Sequence, residues 1–160
     1  MRLRAGPDTD FAGAIYGQVL AGGAVVALSR HDETPAEIAA AVTATMVVFW
    51  IAHVYALLMS RSVVASGRIR IGDFGRLAVR EWPMVQAAAP AIVALLLAAA
   101  GLWPRATGIT IALVLGVADL IAWGIAIGRR SGRSKARSLL TGLGCGAFGA
   151  LLIVLKALVH

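Results

Sequence analysis

Cysteine and acidic residues are scarce in this sequence. It contains a single cysteine, Cys145, so the chain forms no internal disulfide and offers no second thiolate for a cysteine-type zinc site. Asp and Glu together number only 8, and the basic connection at residues 60–82 lacks the clustered carboxylates that would hold magnesium. We therefore predict no bound metal and no cofactor.

Charged residues are also few, at 14%, whereas 59% of the 160 residues are hydrophobic. A chain of this length cannot bury so much apolar surface in one small water-soluble core, so we predict an all-α integral membrane protein surrounded by membrane lipids. The net charge of +7 does not indicate nucleic acid as a partner. Its basic residues lie in short segments beside apolar runs, which is typical of signals that orient membrane proteins.

Five apolar runs are long enough to cross a hydrocarbon layer as helices, which takes about 20 residues each. We predict one transmembrane domain over residues 1–160, a bundle of five transmembrane helices with a short cytoplasmic interfacial segment in the connection at residues 60–82. Because the other connections are short, helices adjacent in sequence are expected to be antiparallel neighbours. The predicted spans are residues 11–29, 38–59, 84–102, 108–127 and 139–158.

The distribution of Lys and Arg predicts the orientation of these spans. Twelve of the 15 basic residues fall on one side of the predicted bundle, and only Arg30, Arg105 and Lys156 fall on the other. Because loops rich in Lys and Arg stay inside, the N-terminus is predicted to be cytoplasmic and the C-terminus external. The excess of Arg over Lys, with abundant Ala and Gly, favours a bacterial protein of the inner membrane.

Two local signals predict where helices begin or bend. Thr34 is followed by Pro35 and, three positions after the threonine, by Glu37, which is the pattern of a capping box and starts the second helix near Pro35. Pro90 lies inside the third span and removes a helix hydrogen bond, so it is expected to kink that helix near its cytoplasmic end.

The connection at residues 60–82 is rich in arginine and is predicted to contain a short amphipathic helix near Asp73. Phe74, Leu77 and Ala78 fall on one face of this helix and its arginines on another, which suits a position in the headgroup layer. We predict that four arginines of the connection contact lipid headgroups: Arg68, Arg70, Arg76 and Arg80.

Glycines at four-residue spacing predict close helix packing in the first and fifth spans. Gly13 and Gly17 lie in the first span; in the fifth, Gly142 precedes Gly146 and Cys145 precedes Gly149 by four residues. Such spacing lets helix backbones approach one another, either within a subunit or between subunits.

Two ionisable residues, His53 and Asp119, lie within predicted spans at similar depth. A charged group in mid-membrane is costly and therefore marks a candidate functional site. One interpretation pairs them across helices along a pathway for protons or small cations, with Tyr16 and Gln18 completing the hydrogen bonds and Trp50 gating access or holding the imidazole ring. The other interpretation is a buried structural contact that fixes helix register.

These residues do not form a recognisable catalytic site. Hydrolysis within a membrane requires an activated nucleophile, a pair of aspartates or a metal triad, and we expect no enzymatic activity. The sequence favours a small channel or transporter for protons or small cations. A chain this short is expected to act as a homo-oligomer. The alternative is a non-catalytic accessory or scaffold subunit of a larger complex, with another membrane protein as its partner.

Overall fold

The computed structural model describes residues 11–29, 32–65 and 71–158, and in these residues every regular element is a helix. No strand occurs in the described part of the chain, in agreement with the predicted all-α class. The seven helices, in chain order, are α1 (Phe11–Leu28), α2 (Pro35–Ala65), α3 (Ile71–Arg80), α4 (Pro83–Gln86), α5 (Ala89–Ala99), α6 (Arg105–Arg130) and α7 (Lys135–Leu158).

Two of the described helices are long and apolar enough to cross a membrane, Pro35–Arg61 within α2 and Arg105–Arg130. The count rises to three if the bent pair Gly72–Gln86 and Ala89–Ala99 forms one span. Helix α1 contributes a shorter apolar segment, Gly13–Leu28. These lengths and compositions are compatible with insertion into a membrane, and they support fewer spans than the five predicted.

Helix α2 begins where the capping box predicts. The Thr34 backbone N–H donates to Glu37 Oε2 at 2.7 Å, and the Glu37 N–H donates back to Thr34 Oγ1 at 3.3 Å. These two bonds satisfy amide groups that the first turn of the helix leaves without helical partners. Nearby, Arg105 at the start of α6 donates to the carbonyls of Ser29 and Glu33, which ties the ends of three helices together.

The predicted third span is broken. The segment Gly72–Gln86, which ends with α4, meets α5 at Ala87 and Ala88 with a bend of 52°. Pro90 is the second residue of α5 and has no N–H to donate back across the break, so the kink falls near the start of the third predicted span, where the proline predicts it. Helix geometry resumes at Ala89 and continues to Ala99.

The core lies where α1, α2, α5 and α6 converge. Its fully buried side chains are mostly small or β-branched, which brings the helices close together. Helices α5 and α6 approach so tightly that a Cβ added to Gly108 would lie 2.4 Å from the Cβ of Ala98. The larger core residues are Val25, Ile38, Val42, Met46, Met84 and Leu95.

Helices α6 and α7 form a hairpin whose backbones nearly touch. The turn between them contains Gly132 at a φ of 69°, a left-handed conformation that glycine adopts without steric cost. A Cβ at Gly124 would lie 2.7 Å from the Cα of Gly142, so neither helix can carry a side chain there. Gly146 and Gly149 leave the same kind of space for Ile121 and Leu120 of α6.

The glycines of the first and fifth predicted spans therefore pack against different helices. Gly142, Gly146 and Gly149 face α6, whereas Gly13 and Gly17 of α1 face Met84 in α4. Within this chain the two sets do not form one shared interface.

The α6–α7 contact generates a stability prediction. We expect Gly124→Leu to destabilise the protein by about 3 kcal/mol, since its side chain overlaps the backbone of α7. The measurement is thermal unfolding in detergent. Gly144→Leu on α7 is the matched control, because a Cβ at Gly144 meets no atom within 4 Å. Equal losses in the two variants would contradict the proposed importance of this contact.

Candidate functional site

Helix α3 lies along one face of α2. The turn that follows α3 lies against the same face of α2. Leu77 and Ala78 of α3 are buried against Val54, with Trp50 and Leu57 packed alongside. These α2 residues recur at spacings of three and four, so they form one stripe along the helix. The amphipathic helix predicted near Asp73 is thus present, beginning two residues earlier at Ile71.

Trp50 fixes the position of α3 by a directional bond. Its indole Nε1 donates to the carbonyl oxygen of Ala78 at 3.1 Å. Its ring also meets the ring of Trp82 edge to face, with centroids 5.3 Å apart. Trp82 belongs to the segment Arg80–Met84, which we call the elbow, where α3 ends and α4 begins. Trp50 therefore holds the elbow against α2, one helical turn from His53.

The elbow carries a buried carboxylate, that of Glu81, which is only 2% exposed. Its Oε2 lies 3.6 Å from His53 Nε2, and its Oε1 lies 3.9 Å from Arg80 Nε. On the opposite side, Glu81 Oε2 lies 3.3 Å from where a Cβ of Gly13 would stand. Glycine at position 13 thus makes room for the carboxylate between α1 and α2.

This arrangement places two titratable groups in contact between α2 and the elbow. The separation of His53 and Glu81 exceeds that of a hydrogen bond, so the contact is an ion pair when the imidazole is protonated. The His53 side chain is 36% exposed, whereas the carboxylate is enclosed. The imidazole is therefore the more accessible of the two groups.

Asp119 lies apart from this pair. Its Oδ2 accepts a hydrogen bond from Trp123 Nε1 at 3.2 Å, within α6. The structure thus brings His53 to Glu81 rather than to Asp119. Of the other residues predicted around the pathway, Tyr16 is 47% exposed and lies outside the interior, while Gln18 is buried.

Gln18 extends from α1 into the core toward α6. Its Nε2 lies 2.6 Å from the position that a Cβ of Gly116 would occupy. The side chain is 2% exposed, and neither amide atom has a hydrogen-bond partner among the described residues. Burial of an amide without a hydrogen-bond partner is costly.

The arginines predicted to meet lipid headgroups are only partly within the described residues. Arg76 is exposed and pairs with Asp73 one turn earlier, and Arg80 is 45% exposed. Arg68 and Arg70 lie outside the described residues.

Glu81 is the residue of the candidate site that sequence reasoning missed. It shares the connection at residues 60–82 with a second acid, Asp73, and nothing in the local pattern separates a buried carboxylate from a solvated one. The one available signal is its place at the junction between the amphipathic helix and the apolar run.

Comparison of the chain with models of protein families, with curated proteins and with solved structures returned no match.

The role of Trp50 yields a prediction about local stability. Trp50→Phe removes the bond to the Ala78 carbonyl, and we expect it to weaken the attachment of α3 by about 1 kcal/mol. Hydrogen exchange of the α3 amides should accelerate about fivefold, which is the corresponding change in the opening equilibrium. Tyr55→Phe on the exposed face of α2 is the control. Unchanged exchange in α3 of the Trp50 variant would contradict this role.

Proposed function

We propose that this protein is a small membrane channel or transporter for protons or small cations, and that His53 and Glu81 form an ion-binding site in it. The observation that carries the proposal is the Glu81 carboxylate, enclosed by helices yet 3.6 Å from a partly exposed imidazole. An ionised acid in such a place costs several kcal/mol unless it is neutralised. Gain or loss of a proton at His53 would change that neutralisation reversibly, which is the property that an ion-binding site requires.

The broken helix supports the same proposal. Transporters often bind ions where a membrane helix is interrupted, because the break frees backbone groups for coordination. Here the break between α4 and α5 follows the elbow directly, and Gly17 of α1 packs against Met84 beside it. The carboxylate and the break thus lie on the same side of α1.

We propose further that α1, α2, the bent pair α4–α5, α6 and α7 are five membrane spans. In this topology the N-terminus and the elbow are cytoplasmic and the C-terminus is external, as the distribution of Lys and Arg favours. The apolar segment of α1 and the 24 residues of α7 have the lengths of short and full spans, respectively.

We propose that the working unit is a homo-oligomer, since five helices enclose little space for a wide pathway. An accessory subunit of a larger complex is the alternative. It is distinguished by the flux assay below, because an accessory subunit transports nothing alone.

A flux measurement tests the proposed ion-binding site at His53 and Glu81. In proteoliposomes containing only this protein, we expect a flux of protons or small monovalent cations that Glu81→Gln lowers about tenfold, equivalent to about 1.4 kcal/mol in the barrier. Glutamine keeps the size of the side chain and removes its charge. His53→Gln should lower the flux in the same way.

Two variants serve as controls for this measurement. Asp73→Asn removes a carboxylate from the same connection, and Tyr55→Phe alters α2 at a residue that is 59% exposed. Both should leave the flux unchanged. Absence of flux in the parent protein, or full flux in both Glu81→Gln and His53→Gln, would overturn the proposal.

Cysteine labelling tests the proposed topology. In a Cys145→Ala background, cysteines at Asp32 and Leu102 should react with a membrane-impermeant maleimide in intact cells. Cysteines at Gly72 and Ser131 should react only after permeabilisation. Labelling of Ser131→Cys in intact cells would exclude the five-span arrangement.

A further inference from the structure

A carboxylate lies near the middle of α6 without a cation beside it. Asp119 is 14 residues from Arg105 and 11 from Arg130, the two ends of a helix that is long and apolar enough to cross a membrane. Its side chain is partly exposed. Among the described residues, Trp123 Nε1 is its one hydrogen-bond donor, and no Lys or Arg pairs with it. A charge held at this depth is costly unless another group neutralises it.

The surface of α6 beside this carboxylate is small and exposed. Ala118 and Ala122 flank Asp119, and both alanines are exposed. Ala122 follows Asp119 by three residues, so the two lie on one side of the helix. Small residues at four-residue spacing let a second helix come close within a membrane. A second helix can therefore approach the carboxylate closely.

A groove between α5 and α6 continues the same side of α6. Ile111 and Leu115 form its α6 wall, Val93 belongs to its α5 wall, and the exposed amide of Gln86 lines it as well. Leu115 precedes Asp119 by four residues, about 6 Å in helical rise, and Ile111 lies one turn beyond Leu115. The groove and the carboxylate thus follow one line over about 12 Å of α6, which suits a helix better than a small ion.

We propose that this line of α6, together with the α5–α6 groove, binds a membrane-spanning helix of another protein that carries one Arg or Lys near its middle. Apolar side chains of that helix fill the groove, and its cation meets Asp119 one turn further along. The inference goes beyond the proposed function and does not depend on transport.

Charge complementarity favours such a helix over a second copy of this chain. Helices α1 and α5 contain no Lys or Arg, and in α2, α6 and α7 each basic residue lies within four residues of a helix end. A second copy would therefore bring no cation to the depth of Asp119.

A central Arg or Lys supplies the cation that this chain lacks. A paired charge is less costly in a membrane than an unpaired one, because each partner neutralises the other. The bond from Trp123 occupies only part of the accepting capacity of the Asp119 carboxylate, so a guanidinium or an ammonium group can still donate to it.

Energy transfer in lipid vesicles tests the proposal with defined peptides. The full chain carries a donor dye at Ser131→Cys in a Cys145→Ala background, and the peptides are helices of Leu and Ala, about 23 residues long, with an acceptor dye. The central residue of the peptide is Arg, Gln or Leu. We expect the Arg peptide to bind about tenfold more tightly, by peptide-to-lipid ratio, than either of the others.

Two variants remove the contact in different ways. Asp119→Asn keeps the size of the side chain and should lower binding of the Arg peptide to the level of the Leu peptide. Ala122→Leu should weaken binding of the Arg peptide about tenfold, because the larger side chain blocks close approach of the helix. Ala147→Leu makes the same change at an exposed alanine of α7 and is the matched control, which should bind like the parent.

Each contrary outcome has a distinct meaning. Equal binding of the three peptides, or Arg-peptide binding that Asp119→Asn leaves undiminished, would overturn the inference. A Gln peptide that binds as tightly as the Arg peptide would overturn the role of charge. Energy transfer between copies of the chain, lost in Ala122→Leu but kept in Ala147→Leu, would assign this face to a second copy instead. None of these readouts requires flux, so failure of the proposed function is detected separately.

Discussion

The enclosure of the Glu81 carboxylate is the constraint on which the arrangement of the first four helices depends. A carboxylate that is 2% exposed must be compensated by neighbouring charge or polarity. His53 meets it from α2, Arg80 flanks it from α3, and Gly13 leaves space for it on α1. If any one of these helices moved, the Glu81 carboxylate would lose a compensating contact, so the elbow is held where α1 and α2 meet.

Glycines, which have no side chain, allow the helix backbones to approach one another closely. In lipid there is little hydrophobic gain from pressing apolar helices together, so close packing and polar contacts must stabilise the bundle. The Gly124–Gly142 approach joins α6 to α7, and Gly17 admits the Met84 carbonyl against α1. At both places the missing side chain puts backbone atoms of neighbouring helices in direct contact.

Helix α1 meets polar groups on two different sides. Gly13 adjoins the Glu81 carboxylate, and Gln18 lies five residues further along, about 7.5 Å away in helical rise. Five residues leave the two positions about 140° apart around the helix axis, so Gly13 faces the elbow whereas Gln18 faces Gly116 of α6.

The sequence by itself determined the elements and several of their boundaries, because these depend on local chemistry. The Thr34–Glu37 capping box starts α2, Pro90 marks the break in the third apolar run, and the spacing of apolar residues around Asp73 predicts α3. Each of these signals acts within a few residues of the chain, so each can be read without knowledge of the fold.

Only the tertiary structure decided which polar groups meet. Counting residues gives the depth of His53 and Asp119, yet depth does not specify the direction that each faces around its helix axis. That direction follows from helix packing, which turns His53 toward Glu81 and leaves Asp119 with Trp123. The burial of Glu81 could not be predicted from the sequence either, because its carboxylate is enclosed by helices that are distant in the chain.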